Sequence, residues 1–171
     1  HQSRAKGQCT VVTRLQEIPA EFADEDTIFE AFAEYCRELG IEPYPAQEEA
    51  MLAILSGDNT IVATPTGSGK SLVALFALYC SFTRGIRAYY TAPLKALVSE
   101  KFFSLIDAFG PENVGMITGD STVNGDAPVI CATAEILANQ ALREGGLLDV
   151  GMVVMDEFHY FADPTRGWAW Q

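Results

Sequence analysis

The stretch TPTGSGKS at residues 64–71 constrains the fold of this chain more than any other. It follows the apolar run Ile61, Val62, Ala63 and leads directly into Leu72, Val73, Ala74, Leu75, Phe76, Ala77 and Leu78. That order spells strand, tight loop, helix. A Gly-rich turn at a helix N-terminus aims several backbone N–H groups at one point, as a bound polyphosphate requires. Gly67 and Gly69 leave no Cβ where the backbone must approach phosphate closely. Lys70 has the reach for β- and γ-phosphate oxygens, and the Ser71 hydroxyl is placed to ligate Mg²⁺. The usual G-x-x-x-x-G-K-[ST] pattern is broken at its first position, where Thr64 stands. A Gly/Ser turn ahead of a buried helix is the plainer alternative, but strand and helix on the correct sides favour a nucleoside triphosphate site.

At 171 residues the chain suits one domain, which at this size buries roughly 70% of its unfolded surface. Hydrophobic residues make up 49%, which excludes disorder for most of it. No apolar run approaches the ~20 residues of a bilayer span, and no signal-peptide pattern opens the chain. Cys9, Cys36, Cys80 and Cys131 lie far apart without nearby histidines, and read as buried, reduced thiols of a cytoplasmic protein. Asp and Glu total 23 against 11 Lys and Arg, a formal net charge of −12. Such acidity opposes non-specific binding to nucleic acid, whose affinity comes largely from phosphate neutralisation. Any nucleic-acid contact here must therefore be local, or be completed by residues outside this chain.

Residues 1–7 are polar, with no initiating Met, and residues 1–19 read as an N-terminal extension, trimmed or of cloning origin. Residues 20–39 read as a helix with Phe22, Ile28, Phe29, Phe32, Tyr35, Cys36 and Leu39 on one face and Gly40 as the stop. Pro43 and Pro45 fix an extended approach to a second helix at residues 46–55. Gln47 sits in its first turn, where a primary amide can match the N6/N7 edge of adenine or simply be solvated. Beyond the phosphate loop and its helix, residues 87–91 read as a strand. A helix opening at Leu94 follows, whose apolar stripe leaves Lys95 and Ser99 free to face a ligand. Residues 114–118 and Val129–Thr133 are further β-type runs, joined by a Gly- and Asp-rich turn at 119–126. A short helix at Ala134–Arg143 precedes the unbroken apolar run 152–155, the signature of a strand buried on both faces. Alternating strands and helices indicate an α/β domain with a mostly parallel sheet, and such sheets bind ligands beyond the carboxyl ends of their strands.

The last strand runs into Asp156, Glu157, Phe158 and His159. Two carboxylates directly after a buried strand are costly unless partnered, and Mg²⁺ carried by ATP supplies a partner. Asp156 is placed to hold that metal with Ser71 or through water, and Glu157 to orient and deprotonate the attacking water. A helix N-cap pair is the plainer alternative. His159 either senses the γ-phosphate region or caps a turn.

TPTGSGKS, TAPLKALVSEK, TGD, ATAEIL and DEFH stand in the order and rough spacing of motifs I, Ia, Ib, Ic and II of superfamily 2 helicases. Pro45, Ala46 and Gln47 resemble their Q motif, and Asp-Glu-x-His, PLKAL and DPTRGWAW look most like the Ski2-like branch. The resemblance covers about residues 43–170 and implies the first RecA-like domain of a helicase at residues 20–171, a three-layer P-loop fold. It implies that ATP and Mg²⁺ are bound by Gln47, Thr64, Pro65, Thr66, Gly67, Ser68, Gly69, Lys70 and Ser71 together with Asp156 and Glu157. It further implies that Pro93, Lys95, Gly119, Asp120, Thr133 and Glu135 lie near a single nucleic-acid strand, with His159 coupling the two sites. Thr64 is ordinary for motif I of this group.

The Ser-Ala-Thr motif and the second RecA-like domain with its arginine fingers do not occur in the sequence, and such a finger is worth ~10³–10⁵ in kcat among NTPases. The expectation is a domain that binds ATP–Mg²⁺, hydrolyses it slowly and unwinds nothing alone, with an uncovered sheet edge open to self-association. An ATP-switched nucleic-acid clamp and a P-loop ATPase or kinase unrelated to nucleic acid are the rival readings. The latter leaves TAPLKAL and TGD without a task. RNA is favoured over DNA by the Ski2-like character alone.

Overall fold

A computed structural model describes residues 12–57, 61–65, 70–143 and 151–157, with residues 61–65, 70, 141–143 and 157 as backbone. Its strands are β1 (Ile61–Pro65), β2 (Ala88–Ala92), β3 (Val114–Ile117), β4 (Thr122–Val123), β5 (Val129–Thr133) and β6 (Met152–Glu157). Its helices are α1 (Glu25–Glu38), α2 (Pro45–Ser56), α3 (Lys70–Thr83), α4 (Lys95–Phe109) and α5 (Ala134–Arg143), with 3-10 turns at Ala20–Phe22 and Pro111–Asn113. The sheet order is β1-β6-β2-β5-β3-β4, parallel throughout except for the β3–β4 pair.

Side-chain alternation along the strands divides the core in two. Ala88, Tyr90, Ala92, Val129, Cys131, Met152 and Val154 face α3 and α4, joining Phe76, Leu78, Val98 and Leu105 in the larger cluster. Tyr89, Ile130, Ala132 and Val153 face the other way, onto Leu137 of α5. The three-layer α/β architecture expected from the sequence is therefore present. The path of the chain explains it: α3 and α4 carry it outward from β1 to β2 to β3, and α5 returns it from β5 to β6, between β1 and β2. Among the described residues no helix is long and apolar enough to cross a membrane.

Two elements differ from the sequence reading. The helix expected over residues 20–39 begins only at Glu25, because Asp24 is extended and its carboxylate accepts the Thr27 N–H at 2.7 Å. This is an N-cap. Phe22 falls in the preceding 3-10 turn and is 62% exposed, so it does not belong to the apolar face. The turn expected over 119–126 contains β4, whose Thr122 and Val123 pair with Ile117 and Met116. Two exposed residues carry no periodicity to read. Gly115 is needed there, since a Cβ on it would lie 2.1 Å from the Asn124 carbonyl oxygen.

The described part of the N-terminal stretch is seated on the domain. The Leu15 N–H donates to the Ala108 carbonyl at 2.8 Å, and the Tyr79 hydroxyl donates to the Gln16 carbonyl at 2.6 Å. Leu15 and Ile18 are buried in the main core.

Cys36, Cys80 and Cys131 are free and buried. Burial pushes the Cys80 and Cys131 thiols up to about 12, and Cys36 is also raised by burial. Raised thiols carry little thiolate below those values, and the thiolate is the reactive form. These three cysteines are expected to resist alkylation at pH 8 in the folded chain and to react fully in denaturant. Mass spectrometry of alkylated peptides reads the difference.

Candidate nucleotide and nucleic-acid sites

The parallel strands end together at one rim, and their registers fix what meets there. Thr64 pairs with Asp156 and Pro65 with Glu157 across β1 and β6. The end of β1, which leads toward α3 and Lys70, therefore lies beside the acid pair ending β6. Lys70 is the first residue of α3, and Ser71, in the same turn, is exposed. Thr66, Gly67, Ser68, Gly69 and His159 lie outside the described residues, as does the DPTRGWAW stretch.

A cavity of about 510 Å³ opens between α1, α2, α3 and α4, and both Ser71 and Gln47 line it, with Tyr44, Leu75, Lys101 and Leu105. Its size is that of a small-molecule site. The Gln47 Oε1 accepts the Tyr44 N–H at 2.7 Å, which caps α2 and fixes the carboxamide at the cavity edge. That is a task neither sequence alternative gave it. A second cavity, of about 480 Å³ between α1 and α2, is lined by Phe29, Phe32, Arg37 and Met51 and contains none of the rim residues.

Hard oxygen donors suit Mg²⁺, which keeps waters and takes substrate phosphates alongside one or two protein groups. The Asp156 carboxylate and the Ser71 hydroxyl are such donors. Among the described residues no cluster of three or more His, Cys, Asp or Glu stands ready to cage an ion. The donor set fits a metal delivered on a polyphosphate.

Asp156 is half-buried, and its Oδ2 accepts a hydrogen bond from the Tyr90 hydroxyl. Tyr90 is 2% exposed, and the Lys101 ammonium lies 5.3 Å from its ring centroid. Burial first, then the bond to Asp156, pushes the Tyr90 hydroxyl far above its ordinary value. The sequence reading missed both residues. Tyr90 lay within an expected strand and Lys101 within the helix opening at Leu94, with nothing local to single out either. The missing information was that β6 inserts beside β2, with Tyr90 opposite Val154 and hence two residues from Asp156 on the same face.

The residues expected near nucleic acid gather on the other part of the rim, at the ends of β2, β5 and β3. Pro93 follows β2, and Lys95 opens α4. Lys95 forms an ion pair with Asp120 of the turn after β3. Gly119 is exposed beside it, with nothing within 4 Å of the position its Cβ would take. The Thr118 hydroxyl accepts the Asp120 and Ser121 N–H groups at 3.3 and 3.2 Å, and so shapes that turn. Thr133 closes β5, and its Oγ1 accepts the Ile136 N–H at 3.4 Å as a cap on α5, while Glu135 is exposed in the first turn. Ser99, read as free to face a ligand, instead points its hydroxyl at the Met116 sulfur, 3.7 Å away.

A family model described as DEAD/DEAH box helicase matches residues 44–171. The chain is 41% identical over 132 residues to the DExH-box ATP-dependent RNA helicase DExH15, chloroplastic, of Arabidopsis thaliana, covering 73% of this chain and 11% of that protein. It is 38% identical over 140 residues to the probable helicase HelY of Mycobacterium leprae, covering 81% and 15%. It is 38% identical over 126 residues to the antiviral helicase SKI2 of Saccharomyces cerevisiae, covering 73% and 10%. The chain thus spans only 10% to 15% of the length of these relatives.

Proposed function

Because the chain belongs to the DEAD/DEAH box helicase family, with relatives of the Ski2-like DExH kind, we propose that it is the ATP-binding half of a motor that moves along single-stranded nucleic acid. The observation that carries this reading is the β1–β6 register, with Thr64 beside Asp156 and Pro65 beside Glu157. Phosphate-binding backbone and metal-binding carboxylate then meet at one end of the rim. The nucleotide supplies Mg²⁺ and the phosphoryl group to be transferred. Lys70 neutralises phosphate charge, Ser71 and Asp156 hold the metal, and Glu157 takes the proton of the attacking water. Gln47 meets the base from the mouth of the cavity. A second RecA-like domain of the longer protein is the partner that supplies the cations for fast cleavage. By itself the chain binds ATP, turns it over slowly and unwinds nothing.

The nucleic-acid strand crosses the ends of β2, β5 and β3, contacted at Pro93, Lys95, Gly119, Asp120, Thr133 and Glu135. RNA is the favoured substrate, since the Arabidopsis relative DExH15 carries the name of RNA helicase. Backbone contacts of this kind position a strand without reading its sequence and need few cations, which reconciles the reading with a net charge of −12.

The test is titration of fluorescent single-stranded RNA and DNA, with Mg²⁺ and a non-hydrolysable ATP analogue, across salt concentrations. Lys95→Ala is expected to weaken RNA binding and to reduce the salt slope by about 0.7, the loss of one phosphate contact. Asp120→Asn works in the opposite direction. The Lys95–Asp120 pair is exposed, at 54% and 73% of the two side chains, so its hold is weak. Freeing Lys95 is expected to tighten RNA binding by about 1.4- to 5-fold, in line with the 0.2–1 kcal/mol of exposed pairs. RNA binding that ignores both substitutions removes this part of the rim from the interface.

A further inference from the structure

We propose that Tyr90 is a positioning residue for the metal-facing carboxylate of Asp156, held in turn by the Lys101 ammonium over its ring. The inference rests on the nucleotide-binding reading above and extends it to two residues outside the phosphate loop and the acid pair.

The geometry is that of a ligand with an outer support. Asp156 sits at the rim end of β6 and is half-buried, so one face of its carboxylate is turned toward the protein. The Tyr90 hydroxyl donates to Oδ2 on that side. Tyr90 cannot drift, because its ring is 2% exposed and β2 is paired with β6 on one side and β5 on the other. Thr91, the next residue, adds a hydroxyl bond to the Val154 carbonyl at 3.3 Å, a second tie between the same two strands. Lys101 reaches from α4 to within 5.3 Å of the ring centroid and also lines the cavity that Ser71 shares. A cation over an aromatic face is attracted by the ring quadrupole, and this one comes from α4.

A carboxylate that binds metal with one oxygen must hold the other still, and loss of such an outer partner typically costs 10–100-fold in metal affinity. Tyr90 supplies that partner. An unsupported Asp156 rotates between orientations, and each metal-binding event must then select one of them. Binding of the nucleotide without metal does not involve Asp156 and is untouched.

The test compares the wild-type chain with Tyr90→Phe, which keeps the ring and removes only the hydroxyl. Affinity for a fluorescent, non-hydrolysable ATP analogue is measured in EDTA and at increasing Mg²⁺, and thermal melting checks the fold. The expected result is unchanged affinity in EDTA, with a half-saturating Mg²⁺ concentration raised about 10-fold. Half-saturation within 2-fold of wild type in a folded variant overturns the inference, as does an equal loss with and without metal, which marks a general structural role. Lys101→Met, which keeps an unbranched stem, is the second variant and serves if Tyr90→Phe does not fold. It is expected to shift half-saturation about 3-fold in the same direction, and no shift overturns the inference. A wild-type chain whose nucleotide binding is indifferent to Mg²⁺ refutes the underlying reading itself, a result distinct from failure of the Tyr90 assignment.

Discussion

Replacing Lys70 by alanine is expected to lower the affinity of the chain for Mg²⁺–ATP ~30-fold or more while leaving its melting temperature nearly unchanged. Lys70 is the first residue of α3, at the end of a helix whose unpaired N–H groups and dipole already favour anions. Those backbone groups survive the substitution. What disappears is the point charge proposed to meet the outer phosphates. Truncating one partner of a buried, hydrogen-bonded charge pair costs about 2–5 kcal/mol, which is the source of the ~30-fold lower bound. Stability is spared because a cation at a helix N-terminus is mildly unfavourable without its anion. Isothermal titration with the ATP analogue, beside a melting curve, separates the two effects. A variant that binds nucleotide as well as wild type contradicts the phosphate-loop assignment.

The second large effect is on folding. Phe76→Ala is expected to destabilise the chain by about 3–5 kcal/mol, a large part of the roughly 5–15 kcal/mol that holds a domain together. Phe76 is 0% exposed, on the face of α3 turned away from solvent. The Phe32 ring meets it edge-on at 5.0 Å and the Phe29 ring at 6.3 Å, so this residue anchors α1 to α3, beside a Phe32–Tyr79 ring contact at 6.0 Å. Truncation removes the apolar burial, leaves a cavity under α1, and breaks both aromatic pairs. The midpoint in urea should fall while the slope stays as in wild type, because the same surface is exposed on unfolding. A loss under 1 kcal/mol would mean that α1 is not seated on α3 as described.

What the sequence disclosed, and what it hid, follows from the reach of its signals. β5 and α5 carry the boundaries Val129–Thr133 and Ala134–Arg143 that their patterns indicate. A continuous apolar run passes there into a helix capped by a threonine, and both signals are local. The succession of β1 and α3 was equally plain, since apolar segments bracket the glycines. α1 was read too long because Phe22 continued the apolar spacing, and only the Asp24 side chain turning back to Thr27 shows where the chain becomes extended. β4 is too short and exposed to leave a pattern. Strand order has no local signal at all. With it went the pairing of Tyr90 with Asp156, the cap made by Gln47, and the ion pair that covers Lys95, each of which joins residues whose proximity or partner the local pattern does not state. Candidate site residues can be proposed from local motifs, but the bonds that hold Asp156, Gln47 and Lys95 cannot.

The account stands most directly on one titration: the wild-type chain against a fluorescent ATP analogue, with and without Mg²⁺. It predicts saturable binding at a single site, strengthened by Mg²⁺. A folded chain that shows no Mg²⁺-strengthened binding at millimolar nucleotide contradicts it.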